Sequence, residues 1–253
     1  DDFATQQKII RHAASRGYEP SLIISTIKYK GEKVIDVVLT EDETQLDEVV
    51  VSAKTNINEN SLDTVCAALA YAMGIEPPKE AAAPNPTLVD YIDEKLQGKK
   101  ADRIFMYNPD AVAQWIYEKY GELCAQAKKR ADIEIPLTTV MPSVTPVCFG
   151  TMYTGAQPEV HGIQKYEKPV ITIDTIFDAF LRAGKKVAII GYGSCSVSYI
   201  FLNRDLDYFR MDNIEQVNAV AARLIAEDKH DLIVCYNGNY DAVMHRWGPE
   251  SPE

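Results

Sequence analysis

Short apolar runs, typical of buried strands, alternate with longer amphipathic stretches, typical of helices, along most of the chain. The predicted strands cover residues 101–108, 135–140, 185–193 and 231–237. The predicted helices cover residues 61–74, 87–98, 111–130, 145–154, 175–184, 214–230 and 238–248. Such alternation predicts an α/β fold with a doubly wound, mostly parallel sheet that is covered by helices on both faces.

The pattern is different before about residue 57. Residues 21–53 have the apolar runs and charged turns that are typical of β-strands without intervening helices. We therefore predict two domains, a small β-rich N-terminal segment at residues 1–56 and the α/β domain at residues 57–253. Residues 74–86, GIEPPKEAAAPNP, predict a linker or long surface loop between two helices of the larger domain.

The charge and cysteine content narrow the function classes. A net charge of −11 argues against binding to a nucleic-acid duplex or an anionic membrane surface. It does not exclude a small anionic substrate, because a bound metal can reverse the potential of an acidic site. The five cysteines are scattered and form no C-x-x-C, so neither a disulfide framework nor a Cys-based zinc site is expected.

The cellular location is predicted from two features that the sequence lacks, a transmembrane segment and a leader. It has no apolar run of about 18 residues, so no transmembrane segment is predicted. No basic-then-apolar leader precedes the first strands. The expected location is cytoplasmic, with a periplasmic or secreted one as the alternative if a signal peptide was removed before Asp1.

A threonine is presented at the start of a predicted helix. Thr145 precedes Pro146, which suits a first helical turn, and Gly155 is placed to end the helix after Thr154. The Thr145 oxygen would then lie where backbone N–H groups and the helix dipole favour an oxyanion. The hydroxyl is therefore a helix cap, a nucleophile, or both.

Three acidic or basic side chains also follow predicted strands. Asp110 comes directly after residues 101–108, and Asp241 and His245 follow residues 231–237 at helical i, i+4 spacing. Each alone is commonly a helix cap or a surface pair. Because the carboxyl ends of parallel strands share one sheet edge, we expect them to converge with Thr145. A hydroxyl beside such donors indicates metal-assisted phosphoryl or sulfuryl transfer.

Three segments resemble one family in the same order. They are ADRIFMYNPDA at residues 101–111, PSVTPVCFGTMYTGAQPEVHGI at residues 142–163, and YDAVMHRWGPES at residues 240–251. These resemble the first metal-binding Asp, the nucleophile segment and the Asp-x-x-x-His metal segment of the nucleotide pyrophosphatase/phosphodiesterase family. This family belongs to the alkaline phosphatase superfamily, so the resemblance implies an alkaline-phosphatase-like catalytic domain.

The resemblance implies a role for each matched residue. Thr145 would be the nucleophile and, with Asp110, a ligand of one divalent metal ion; Asp241 and His245 would be ligands of a second. Both ions are expected to be zinc. Cys148 stands where the family often has an Asn that contacts the substrate phosphate, and a thiol is a weaker donor. His161 matches a Pro-x-x-His-Gly position, for which we expect a structural turn role.

The implied activity is metal-dependent hydrolysis of phosphodiester or pyrophosphate bonds in small phosphate esters or nucleotides. Two alternatives stay open: a phosphomonoesterase or sulfatase of the same superfamily, and a nucleotide-binding module without catalysis. The second alternative depends on GYGSCS, residues 191–196, which resembles a dinucleotide-binding turn but lacks its third glycine.

Two further inferences come from resemblance. The family's second Asp-His pair and a later His lie downstream of the residues that match Asp241 and His245, so this catalytic domain is expected to be incomplete at its C-terminus. We accordingly expect residues 1–253 alone to bind zinc weakly and to be essentially inactive. Residues 34–53 resemble the end of a carboxypeptidase-regulatory-like β-domain.

Overall fold

Four parallel strands form one sheet in the part of the chain that the computed structural model describes, residues 60–248. The strands are β1 (Ile104–Pro109), β2 (Val187–Tyr192), β3 (Asp207–Met211) and β4 (Leu232–Asn237). Their spatial order is β1-β4-β2-β3. The two central strands, β4 and β2, are buried along almost their whole length.

Ten helices accompany the sheet within residues 60–248. They are α1 (Thr64–Met73), α2 (Pro86–Leu96), α3 (Gln114–Lys119), α4 (Ala125–Lys128), α5 (Thr145–Thr154), α6 (Pro158–His161), α7 (Ile176–Arg182), α8 (Val197–Ile200), α9 (Ile214–Glu227) and α10 (Asn239–Trp247). None of these helices has both the length and the apolar character that crossing a lipid bilayer requires.

Helices cover both faces of the sheet. On one face, alternate residues of β2 and β4 such as Ile189 and Val234 pack in a large core with residues of α1, α5, α7 and α8. On the other face, their neighbours Ile190 and Ile233 pack against α9 through Val217, Ala221 and Leu224. The alternation follows from the two-residue period of a strand. The predicted doubly wound α/β fold is confirmed.

Three of the four predicted strands are confirmed as β1, β2 and β4. The predicted strand at residues 135–140 is wrong, because its only pairing is a single parallel bridge between Thr138 and Ser61. Pro136, which has no N–H to donate, lies in this segment. Strand β3 was missed; it is a five-residue edge strand whose burial does not alternate.

Most predicted helices are found, with one difference of length. The stretch 111–130 was predicted as one helix, whereas α3 and α4 are two short helices with Gly121 between them. Glycine disfavours a helix interior, which explains the break. The predicted N-terminal β-rich segment at residues 1–56 and the resemblance at residues 34–53 lie outside the described residues and stay predictions.

Candidate active site

The sheet brings the ends of β1 and β4 together. The two strands are parallel neighbours, with Pro109 paired to Asn237. The backbone N–H of Asp110 continues this pairing by donating to the carbonyl of Asn237 at 2.9 Å. Asp110 and the segment that leads into α10 therefore lie at the same carboxyl edge, where open α/β sheets bind ligands.

Thr145 is the first residue of α5, and its hydroxyl points to Asp110. Thr145 Oγ1 donates a hydrogen bond to Asp110 Oδ2 over 3.1 Å. Of the roles left open for the hydroxyl, the helix cap is excluded: the N-cap is Val144, in extended conformation, and no side chain caps the helix. The hydroxyl does not cap the helix because it is turned toward the Asp110 carboxylate instead.

Helix α5 holds Thr145 on a firmly packed element. Seven of its ten residues are buried. Gly155, with a φ of 71°, ends the helix after Thr154 as predicted, and its N–H donates to the carbonyl of Thr151. At the first turn, the N–H groups of Val147 and Cys148 both donate to the Val144 carbonyl at 3.0 Å. The helix start therefore offers a favourable dipole but few free N–H groups for an anion.

His161 has the structural role expected for it. Its Nδ1 accepts a hydrogen bond from the N–H of Ile163 at 3.2 Å, and its Nε2 lies 3.1 Å from Thr151 Oγ1. A Cβ at Gly150 would lie only 2.7 Å from the imidazole, so the glycine lets α5 approach the ring. Burial lowers the pKa of His161, which keeps the imidazole neutral near pH 7.

The Asp110 carboxylate has three donors. Besides Thr145, the hydroxyl of Tyr236 donates to Oδ2 over 2.6 Å, and the N–H of Ala111 donates to Oδ1 over 2.9 Å. Ala111 has a φ of 63°, a left-handed conformation that is uncommon for alanine. Burial, together with the charge of Asp110, raises the pKa of Tyr236, so the phenol remains protonated and can donate.

Asp241 and His245 form a second pair on α10. His245 Nε2 lies 3.4 Å from Asp241 Oδ1, with side chains that are 76% and 26% exposed, respectively. Burial raises the pKa of the Asp241 carboxyl, the negative charge of Asp110 raises it further, and His245 opposes both. The two pairs lie at the same carboxyl edge of the sheet, because Asp110 follows β1 and α10 follows the neighbouring strand β4.

The site residues therefore meet as two pairs. Thr145 touches Asp110, and His245 touches Asp241. Within residues 60–248, no group of three or more His, Cys, Asp or Glu side chains is arranged to hold a metal ion. The donor types suit zinc, which takes carboxylate oxygen and imidazole nitrogen, but each pair is one short of the three protein ligands usual in catalytic zinc sites.

Cys148 lies about one helical turn after Thr145. Its Sγ is 3.2 Å from Thr139 Oγ1. Burial raises the pKa of the Cys148 thiol, the bond with Thr139 lowers it, and the charge of Asp110 raises it slightly. The thiol is therefore neutral and hydrogen-bonded to protein, and its predicted contact with substrate stays a prediction.

Sequence reasoning missed Tyr236, which supports Asp110, and Tyr192, which packs against Tyr236. Tyr236 lies near the carboxyl end of β4, and Tyr192 is the last residue of β2; their rings are 5.8 Å apart. The available signal was their place at strand ends, the same signal that selected Asp110.

Two other features, a surface groove and the GYGSCS turn, offer weaker evidence for a functional site. A groove of about 540 Å³ lies around Arg204 and Asp174, away from Asp110. Its two arginines are paired within the protein, since Arg204 binds Asp178 through Nε at 3.0 Å and Arg182 binds Asp174. The GYGSCS turn leads into α8, which has four residues, whereas a dinucleotide-binding turn opens a long helix.

A comparison with protein families supports the resemblance. The model of the type I phosphodiesterase / nucleotide pyrophosphatase family matches residues 126–253. The match includes Thr145, Cys148, Asp241 and His245, and it begins after Asp110. No curated protein matches the chain. The parallel sheet with helices on both faces is consistent with the alkaline-phosphatase-like fold that the resemblance implies.

Proposed function

The chain belongs to the type I phosphodiesterase / nucleotide pyrophosphatase family, and on that premise we propose that Thr145 attacks the phosphorus of a phosphodiester or pyrophosphate. The family is one of hydrolases that act on small nucleotides or phosphate esters. Metal dependence and the identity of the nucleophile belong to the proposal. The observation that carries it is the hydrogen bond from Thr145 Oγ1 to Asp110 Oδ2 at 3.1 Å.

This contact gives the hydroxyl the two properties that a nucleophile needs. It has a fixed direction, because Thr145 begins a buried helix and Asp110 follows a paired strand. It also has an acceptor for its proton, the carboxylate oxygen itself. A hydroxyl that capped its own helix would have its oxygen turned toward backbone N–H groups instead.

The reaction then follows in two displacements. The Thr145 oxygen forms a bond to phosphorus while the bond to the leaving alcohol or phosphate breaks, and the hydroxyl proton passes to the Asp110 carboxylate. The leaving group takes a proton from water. The hydroxide left by that water then attacks the phosphothreonine, the bond between phosphorus and the Thr145 oxygen breaks, and Asp110 returns its proton to restore the Thr145 hydroxyl.

Two divalent cations, of the zinc type, are the cofactors that we propose. Asp110 and Thr145 would hold one and Asp241 and His245 the other, with two donors each among residues 60–248. Bound cations would lower the pKa of a coordinated hydroxyl and neutralise phosphoryl oxygens. The chain itself offers the dipole of α5 to stabilise that charge. We propose in addition that Cys148, on the same helix, contacts the substrate phosphate.

The nucleophile is tested with Thr145→Ala in the complete gene product supplied with zinc. We expect hydrolysis of a bis-aryl phosphate to fall by about 10⁴-fold or more, as for removal of other enzymic nucleophiles. Thr145→Ser, which keeps a hydroxyl, is the matched control and should retain part of the activity. Mass spectrometry of the quenched reaction should find phosphate on Thr145 in the wild type. Unchanged turnover in Thr145→Ala would exclude the covalent mechanism.

The same protein preparation tests whether divalent cations are required and whether either of the two alternative functions is correct. Chelation by EDTA should abolish turnover and zinc should restore it, whereas turnover unaffected by chelation would contradict the cation proposal. Faster hydrolysis of a mono-aryl phosphate or an aryl sulfate than of the bis-aryl ester would favour the phosphomonoesterase or sulfatase alternative. Nucleotide binding without any hydrolysis would favour the non-catalytic module.

A further inference from the structure

Tyr236 connects the separate elements that build the site. It belongs to β4, its hydroxyl donates to Asp110 after β1, and its ring packs edge-on against Phe149 of α5 with centroids 5.5 Å apart. Only 3% of the residue is exposed. The side chain is therefore fixed by the core and reaches the carboxylate from within the protein.

The hydrogen bond from Tyr236 falls on the oxygen that faces the nucleophile. Asp110 Oδ2 accepts from Tyr236 at 2.6 Å and from Thr145 at 3.1 Å. Oδ1 is held separately by the N–H of Ala111 at 2.9 Å. Without the phenol, rotation of the carboxylate about its Oδ1 contact would be opposed at Oδ2 by the Thr145 hydroxyl alone.

Gly238 leaves the space in which the phenol sits. A Cβ at this position would lie 2.7 Å from the Tyr236 hydroxyl oxygen and 2.8 Å from that of Tyr192. The φ of Gly238 is −98°, which other residues adopt readily. Glycine is therefore required here by the close approach of the two hydroxyls and not by the backbone conformation.

We propose that Tyr236 is a positioning residue that holds the Asp110 carboxylate in the orientation which directs Thr145, and that Gly238 provides the room for this contact. The proposal rests on the proposed function, because it assigns Tyr236 a part in the same reaction. Tyr236 acts through the Asp110 carboxylate, to whose Oδ2 it donates, and it is not proposed to contact the attacking oxygen or the phosphorus.

The first test compares two Tyr→Phe variants. Tyr236→Phe removes one hydroxyl and keeps the ring in the core. We expect kcat for the bis-aryl phosphate to fall by about 10-fold, in line with the loss of partners that orient catalytic ligands, with little change in KM. Tyr208→Phe is the matched control, because its hydroxyl donates a hydrogen bond to the Phe201 carbonyl at the β3 edge of the sheet. This control should keep the wild-type kcat.

Gly238→Ala tests independently whether the space left by Gly238 is needed for the contact between Tyr236 and Asp110. The added methyl group would displace the Tyr236 hydroxyl without removing it, so we expect a fall in kcat of several-fold, in the same direction as for Tyr236→Phe. Wild-type kcat in both variants, in a protein whose activity Thr145→Ala abolishes, would overturn the positioning role and leave the proposed function intact. A decrease in Tyr208→Phe equal to that in Tyr236→Phe would also overturn it.

Crystallography tests the positioning role of Tyr236 without a measurement of activity. In metal-free crystals of Tyr236→Phe, we expect the Asp110 carboxylate to rotate and the hydrogen bond from Thr145 to be lost, whereas the wild type and Tyr208→Phe should keep it. An unmoved carboxylate in Tyr236→Phe would contradict the proposal. This result is independent of whether Thr145 is the nucleophile.

Discussion

The two donor pairs at the sheet edge are held in different ways. Asp110 accepts hydrogen bonds from Thr145, Tyr236 and the N–H of Ala111, and Thr145 begins a helix with seven buried residues. Asp241 and His245 lie on α10, which has no buried residue, and their contact is a single one of 3.4 Å. Folding alone therefore orients the first pair, whereas the second pair can rearrange.

This difference matches the two roles that we propose for the pairs, attack on phosphorus by the first and cation binding by the second. A nucleophile needs a fixed direction, because a small displacement from the reactive geometry is costly. A pair that only binds a cation can be oriented by the cation when it arrives. We therefore expect the first pair to be intolerant of change and the second to be open to replacement by solutes.

The largest effect is expected at Asp110. Asp110→Asn keeps the shape and an acceptor oxygen for Tyr236, but it removes the charge that accepts the Thr145 proton. We expect kcat/KM for the bis-aryl phosphate to fall by about 10³-fold, with the thermal midpoint changed by only a few degrees. Asp207→Asn is the matched control, since its 66% exposed carboxylate contacts His230 on another edge, and it should retain full activity. Asp110→Asn with more than a tenth of wild-type activity would contradict the assignment.

A smaller and reversible effect is expected at His245. We expect His245→Ala to lower kcat/KM by about 10- to 100-fold, because the side chain supplies one of several donors. Imidazole added to the buffer should restore part of the loss, since this position is 76% exposed and open to a solute. Arg246→Ala, a neighbouring exposed position, should behave as the wild type. Failure of saturating imidazole to raise the rate would mean that α10 is not as open as its exposure indicates.

The smallest expected effect is a change in stability on substitution of His161, whose imidazole packs against α5. Because burial lowers the pKa of His161 below its ordinary 6.5, the unfolded chain binds a proton there before the folded one does. The contribution of His161 to stability is therefore complete above about pH 6.5 and declines as the pH falls. We expect His161→Gln to be less stable by about 1–2 kcal/mol at pH 7.5, and this difference should narrow toward pH 5.5. Denaturant unfolding at both pH values checks this, and a constant difference would show that the imidazole does not titrate as described.

The elements with strong local signals could be predicted from the sequence. The long apolar runs of β2 and β4, and the termination of α5 at Gly155, depend on residues next to one another in the chain. The convergence of Asp110 and Thr145 was also predictable, because it follows from the position of each after an expected strand. The strand expected before Thr145 does not form, so the contact between Thr145 and Asp110 was predicted correctly from an incorrect element.

What the sequence could not reveal depends on partners that are distant in the chain. A capping role of Thr145, which the sequence left open, is excluded because Asp110 turns the hydroxyl away from the helix N–H groups. The bond from Tyr236 to Asp110 could not be predicted without the register of β1 on β4. Propensity and periodicity describe neighbours along the chain, and these contacts are not between such neighbours.

The strand order also has a consequence for how the protein is made. Strand β1 is synthesised well before β4, its only partner in the described sheet, which pairs Leu232 with Ile104. Nearly the whole described chain must therefore be synthesised before β1 can be incorporated, and contacts between such distant segments form slowly. During that interval Asp110 has neither Asn237 nor Tyr236 to hold it. A chain in which β4 has not yet paired with β1 therefore lacks two of the contacts that hold the Asp110 carboxyl group in the folded protein.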